Sequence, residues 1–150
     1  MFNIKIDVDK NDLMQLQKFP AEFKKGLLKG VRDSMFFVEA AVKTRFGRPG
    51  ELGVRTGNLR RSIQSGMKGM TDSIVGWIGS NVVYAKIHEL GGVIRPRTKK
   101  YLRFQIEGQW KTVKEVIIPA RPFLEPSINE NIEKIKSIIR SSIIREVGER

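Results

Sequence analysis

Phe19, Phe23, Leu27, Val31, Met35, Val38, Val42 and Phe46 recur at intervals of three and four residues, a spacing that gathers them on one stripe of an α-helix. In a strand the same residues would scatter over both faces. The spacing therefore predicts a long amphipathic helix ending near Phe46, with Pro20 in its first turn, where a missing N–H costs nothing. Gly26 and Gly30 lie inside it. Each weakens an isolated helix by about 1 kcal/mol relative to alanine, so the helix needs a packing partner, and a sheet is the expected one.

Strand signals supply that sheet. Phe2, Ile4, Ile6 and Val8 alternate with polar residues and predict a strand over 2–8, after which Asp9 caps a short helical segment carrying Leu13, Met14 and Leu16. Beyond the long helix, residues 47–57 hold four glycines and a proline without periodicity and read as a mobile loop that orders on assembly. Asn58 or Thr56 caps a short helix through Leu59 and Ile63. A hairpin follows, with its turn near 69–72 and its second strand over 73–79. Val83, Ile87 and Leu90 share a helical face, which predicts a helix over 82–90 stopped by Gly91 and Gly92.

Leu102, Phe104 and Ile106 alternate with polar residues, Glu107-Gly108 makes a turn, and 110–118 is rich in β-formers. This is a second hairpin, in a basic stretch spanning 95–118. Pro119, Pro122 and Pro126 keep the chain extended until Pro126, or the capping box Ser127-x-x-Glu130, opens a final helix with Ile128, Ile132, Ile135, Ile139 and Ile143 on one stripe. The order lacks regular βαβ alternation. The expected fold is α+β, one domain over 1–150, with a mostly antiparallel sheet packed against a long N-terminal-half helix and a C-terminal helix.

Composition narrows the function. The 150 residues carry 28 Lys and Arg against 16 Asp and Glu, a net charge of +12, which suits an acidic partner and equally suits simple solubility; composition alone does not choose between them. The chain has no cysteine, and this removes disulfides, thiolate metal sites and cysteine nucleophiles. No apolar stretch reaches the roughly 18 residues needed to span a bilayer, so no membrane partner is expected. The opening MFNIKIDVDK alternates instead of forming a signal peptide's apolar block, and the protein is expected to be made and kept inside a cell.

Sites for catalysis are scarce. His88-Glu89 begins like a helical zinc-protease motif, but Gly92 stands where the second histidine belongs, and His88 is the one histidine in the chain. No G-x-S-x-G turn, Walker-type phosphate loop or G-x-G-x-x-G occurs. Glu130 with Glu133, and Glu146 with Glu149, sit among Lys134, Lys136 and Arg145 as a solvated, ion-paired helix face. No cofactor, no metal and no enzymatic activity are expected. The sharpest charge feature is Arg95, Arg97, Lys99, Lys100 and Arg103, five cations in nine residues without an acid among them. With Tyr101 and Phe104 interleaved, this loop suits a nucleic-acid-binding module that tracks a phosphate backbone. As a solvated strand edge it also discourages unwanted strand pairing. Arg60-Arg61 and Lys24-Lys25 are weaker signals and read as exposed helix faces.

Three blocks in order carry a more specific signal: Arg55-Thr-Gly-Asn-Leu-Arg-Arg-Ser-Ile63, Tyr84-Ala-Lys-Ile-His-Glu-Leu-Gly-Gly92, and Ile118-Pro-Ala-Arg-Pro-Phe-Leu-Glu-Pro-Ser-Ile128. Together with the long helix in front, they resemble the tail-component, or tail-completion, family of long-tailed bacteriophages. The matching positions are Thr56, Gly57 and Leu59, then Tyr84, Ala85, Glu89 and Gly91, then Pro122, Phe123 and Leu124. Each also has a structural role on offer: a turn or cap for the glycines, an anchor for Phe123 and Leu124, a cation or backbone N–H for Glu89 to bind. Leu90 departs from the pattern, where an aromatic residue is frequent, and the basic hairpin is longer than in many members. The resemblance implies a non-enzymatic virion protein of the phage or prophage neck, acting in tail completion and head–tail joining. It further implies a homo-oligomeric ring that meets the head connector and the tail tube or tail terminator, after assembly in the host cytoplasm. A ring requires a heterologous interface whose rotation closes. Loop 47–57 and the hairpin at 95–118, with Arg95, Arg97, Lys99, Lys100 and Arg103 as its candidate surface, are the expected contact parts.

Overall fold

The computed structural model describes residues 2–6, 20–69 and 74–148. Residues 7–8 of the expected first strand, the segment around Leu13, Met14 and Leu16, Phe19, residues 70–72 of the expected turn and Ser73 of the expected second strand lie outside the described residues. Strand β1 is Phe2–Ile6. Helix α1 runs Ala21–Arg45, with Pro20 in the N-cap position, one residue ahead of the first turn, and Phe46 leaving the helix at ψ 131°. Of the apolar stripe, Val31, Met35, Val38, Val42 and Phe46 are buried, so the long-helix expectation and its end point hold.

Helix α1 packs on two neighbours through two of its faces. Towards the sheet it presents Met35 and Glu39. Strands β2 (Ile63–Gly69) and β3 (Ile74–Ser80) form the expected hairpin, and β1 adds to the other edge of β3 to give an antiparallel sheet in the order β1-β3-β2. Gly76 permits the close approach, because a Cβ there would stand 2.6 Å from the Met35 sulfur. The Glu39 carboxylate accepts hydrogen bonds from the Ser65 backbone N–H at 2.8 Å, the Ser65 hydroxyl at 2.7 Å and Lys43 Nζ at 2.6 Å. Burial pushes this carboxyl up, but these donors and the Lys43 charge outweigh it and hold Glu39 below its usual range.

The other face of α1 meets the C-terminal helix, and here the glycine expectation is corrected. A Cβ on Gly26 would lie 2.7 Å from Ile143 Cα, and one on Gly30 2.7 Å from Ile139 Cα. The glycines bring two helix backbones together; their partner is a helix, not the sheet. Ser34, one turn further, donates to the Gly30 carbonyl at 2.7 Å and reaches the Ile135 carbonyl at 3.4 Å. At the far end of the contact, Lys25 and Lys29 bind Glu146 at 2.7 and 3.3 Å and lower its pKa, Lys25 more than Lys29.

The final helical stretch is broken in two: α4 (Glu125–Asn129) and α5 (Ile132–Gly148). Pro126 stands in the first turn of α4, as one of the two expected openings required. The other, the Ser127 capping box, does not form: Ser127 lies inside α4, buried, and donates to the Phe123 carbonyl at 2.7 Å. The break also takes Ile132 off the stripe, leaving it 38% exposed while Ile128 and Ile135 are buried. Arg45 ties this region to the loop after α1, with Glu51 at 2.6 Å and Glu130 at 2.8 Å. Those bonds raise the arginine's pKa, Glu130 contributing most, and Arg45 in turn lowers that of Glu130.

Short helix α2 (Asn58–Ser62) precedes β2, so Ile63 opens the strand instead of closing the helix. Neither expected cap side chain takes the N-cap: Gly57 occupies it at φ 74°, a conformation suited to glycine, while Thr56 Oγ1 accepts only a long 3.4 Å bond from the Asn58 N–H. Helix α3 is Ala85–Leu90, shorter than the 82–90 expected. Its supposed apolar face is not buried, since Val83 is 96% and Leu90 59% exposed. The chain then projects as an arm. Strand β4 (Gly92–Ile94), absent from the sequence expectation, pairs with β7 (Val116–Ile118), and β5 (Leu102–Ile106) pairs with β6 (Gln109–Val113). The β-rich run over 110–118 is thus two strands split at Lys114 and Glu115. Glu107 and Gly108, both at positive φ, form the predicted turn. The core gathers Val38, Val42, Phe46, Leu52, Ile63, Ile78, Phe123, Leu124 and Ile135 from the helices, the sheet and the loop, each such fully buried side chain stabilising the fold by roughly 1.5–3 kcal/mol. Helices plus small antiparallel sheets bear out the α+β class.

Candidate functional site

The three sequence blocks meet in space. In α3 the Glu89 side chain is 3% exposed and turns inward to the segment before α4. Its carboxylate accepts the backbone N–H groups of Phe123 at 2.8 Å, Leu124 at 3.0 Å and Glu125 at 3.0 Å. Of the two partner types open to it, Glu89 takes the backbone. Next to it the His88 carbonyl accepts the Arg121 N–H at 2.7 Å. Gly91, at φ 70°, passes so close to the same segment that a Cβ would stand 2.8 Å from Ala120 N. Pro122 is half-buried and directs Phe123 and Leu124 inward, where the Phe123 ring packs 5.0 Å from that of Phe46. Ala85 and Leu59 are buried in the same core. Glu89, Gly91, Phe123, Leu124, Ala85 and Leu59 therefore join the three blocks and hold the base of the arm against the body.

The remaining motif residues face a cleft. Thr56 and Gly57 line one side, and Tyr84 and His88, edge to face at 5.9 Å, line the other. The inner cavity is about 550 Å³, floored by Phe46, Leu52 and Leu59. An outer cavity of about 780 Å³ opens beside it, bounded by Lys43, Arg55, Arg60 and Arg61. Arg60 and Arg61 are exposed on α2 as expected, but sequence reasoning missed that they converge with Arg55 and Lys43. The signal was faint: three arginines within seven residues beside a glycine-rich turn.

On the arm, Arg95, Arg97, Lys99, Lys100 and Arg103 are all exposed. Arg95 is bound by Glu115 of the facing strand segment at 2.9 Å, an acid that the local sequence pattern did not bring into view. Arg103 lies over the Trp110 ring at 4.7 Å and Lys100 over Tyr101 at 5.6 Å. The aromatic faces of this region are thus partly occupied by its own cations, and Phe104 is half-buried. No group of three or more metal-ligating side chains occurs among the described residues, and no helix among them is long and apolar enough to cross a membrane.

The model of the phage virion morphogenesis family matches residues 38–143, from the middle of α1 to the far end of α5 and through all three blocks. The match covers well over half of the 150 residues, and the chain belongs to that family. No curated protein and no solved structure matches the chain. Membership makes this a phage protein of virion assembly.

Proposed function

We propose that the protein is a non-enzymatic component of the phage neck that completes the tail and joins it to the head, assembling there as a ring of identical subunits. Its partners on this reading are other copies of itself, the head connector and the tail tube or tail terminator, and its place is the virion after assembly in the host cytoplasm. The observation that carries the proposal is the arm. Both of its ladders are two-stranded, and Ile106, Trp110 and Ile117 are 51%, 61% and 71% exposed on it. Apolar side chains on two-stranded ladders, whose outer edges have no partner strand, are a surface for further assembly. Loop 47–57 and the arm are then the segments that settle against neighbouring subunits.

Negative-stain electron microscopy of lysates from a phage deleted for this gene alone, beside a complemented control, tests the proposal. Full heads and tails lying unjoined, or tails of abnormal length, are the expected result. Normal infectious particles would remove the neck reading and turn attention to nucleic-acid binding by the exposed cations of 95–103.

A further inference from the structure

The cleft between loop 47–57 and α3 combines an apolar and a cationic surface. Its inner cavity is floored by Phe46, Leu52 and Leu59, and its outer cavity is walled by cations, with Val54 to Gly57 and Arg60 shared between the two. No carboxylate lines either cavity among the described residues. Lys43 is bound to Glu39 at 2.6 Å, and Arg61 donates to Thr56 O at 3.1 Å and Asn58 Oδ1 at 2.6 Å. Arg55 and Arg60 are exposed and form no ion pair among the described residues.

We propose that this cleft docks an acidic segment of another virion protein, with an aliphatic or aromatic side chain seated in the inner cavity and carboxylates on Arg55 and Arg60. The proposal rests on the joining role above and names the chemistry of one partner. A guanidinium matches a carboxylate with two parallel hydrogen bonds, and interface hot spots are enriched in aromatic residues and arginine seated in well-packed pockets. The arm of a second copy fits poorly, since 95–118 carries seven cations against two carboxylates and is repelled by the same arginines. A nucleic-acid backbone satisfies the cations but leaves the apolar floor unmatched.

The test is made in the phage that carries the gene. The double variant Arg55→Glu, Arg60→Glu is expected to lower infectious titre at least a hundredfold while the purified variant melts as the wild type does, both residues being exposed. The milder Arg55→Gln, Arg60→Gln pair is expected to fall between the two. A photo-crosslinking residue in place of Val54, 46% exposed at the rim, is expected to attach in assembled particles to an Asp- and Glu-rich stretch of another virion protein. Reversing those acids to lysine is expected to restore titre to the Arg→Glu double variant. A normal titre from that variant, when deletion of the gene leaves heads and tails unjoined and abolishes infectivity, overturns the cleft proposal and leaves the joining role standing. Attachment to DNA or to the protein's own chain replaces the acidic segment by that occupant. Deletion without effect removes the joining role itself.

Discussion

Replacing Glu89 by alanine takes one acceptor away from three backbone donors at once. Phe123 and Leu124 are 1% and 0% exposed, so their N–H groups have no water to turn to, whereas the Glu125 N–H lies nearer the surface and can be rehydrated. A buried donor left unsatisfied costs about 1–3 kcal/mol. Two of them, together with the space left by the side chain, set the loss at about 4 kcal/mol. For a chain of this length 1 kcal/mol moves the midpoint by roughly 2–4 °C, so Tm is expected to fall by about 8–16 °C, read by circular dichroism during heating. Glu89→Gln keeps the volume and one acceptor oxygen but turns an NH₂ towards a donor, and about half the loss is expected. Glu107→Ala, at the exposed arm tip, is the control and is expected to stay within about 0.5 kcal/mol of the parent. A Glu89→Ala protein within about 1 kcal/mol of wild type would refute the reasoning that this carboxylate joins the two motif blocks.

Gly30→Ala is expected to destabilise by about 2 kcal/mol, because overpacking against the Ile139 backbone outweighs the roughly 1 kcal/mol gained in helix propensity. Chemical denaturation decides this, and a more stable variant would show that α1 and α5 do not touch there. Arg45→Ala removes the ties to Glu51 and Glu130 together, with an expected loss of about 1–2 kcal/mol and faster cleavage at Glu51 by a glutamate-specific protease; an unchanged cleavage rate would deny Arg45 any hold on the loop. Glu39, Glu130 and Glu146 are each held below the ordinary glutamate range, by Lys43 and Ser65, by Arg45, and by Lys25 and Lys29 respectively. Their contribution is therefore full above the unfolded value and lost as pH falls through the folded ones. Tm is expected to hold near pH 6 and drop below about pH 4, less steeply in Glu39→Gln, and a Tm that rises on acidification would reverse the sign of the argument.

The strand, helix and turn positions that depend on neighbours in the chain were legible in the sequence. The apolar stripe ending at Phe46, the hairpin of β2 and β3, the stop at Gly91 and the Glu107-Gly108 turn all follow from periodicity or backbone conformation, which act over a few residues. The family blocks were legible too, and the match over 38–143 bears out their virion-assembly character. Elements that depend on a distant partner were not. Strand β4 has three residues and exists through pairing with β7.

The sequence by itself determined the α+β class, the long helix and the motif residues, because apolar spacing and glycine placement are local properties of the chain. Only the tertiary structure decided what those residues serve. It set Gly26 and Gly30 against a helix instead of a sheet and gave Glu89 three backbone donors from more than thirty residues away. It also brought Arg55, Arg60, Tyr84 and His88 around one cleft. Contacts of that kind are fixed by how faces pack in three dimensions, and no spacing along the chain encodes them.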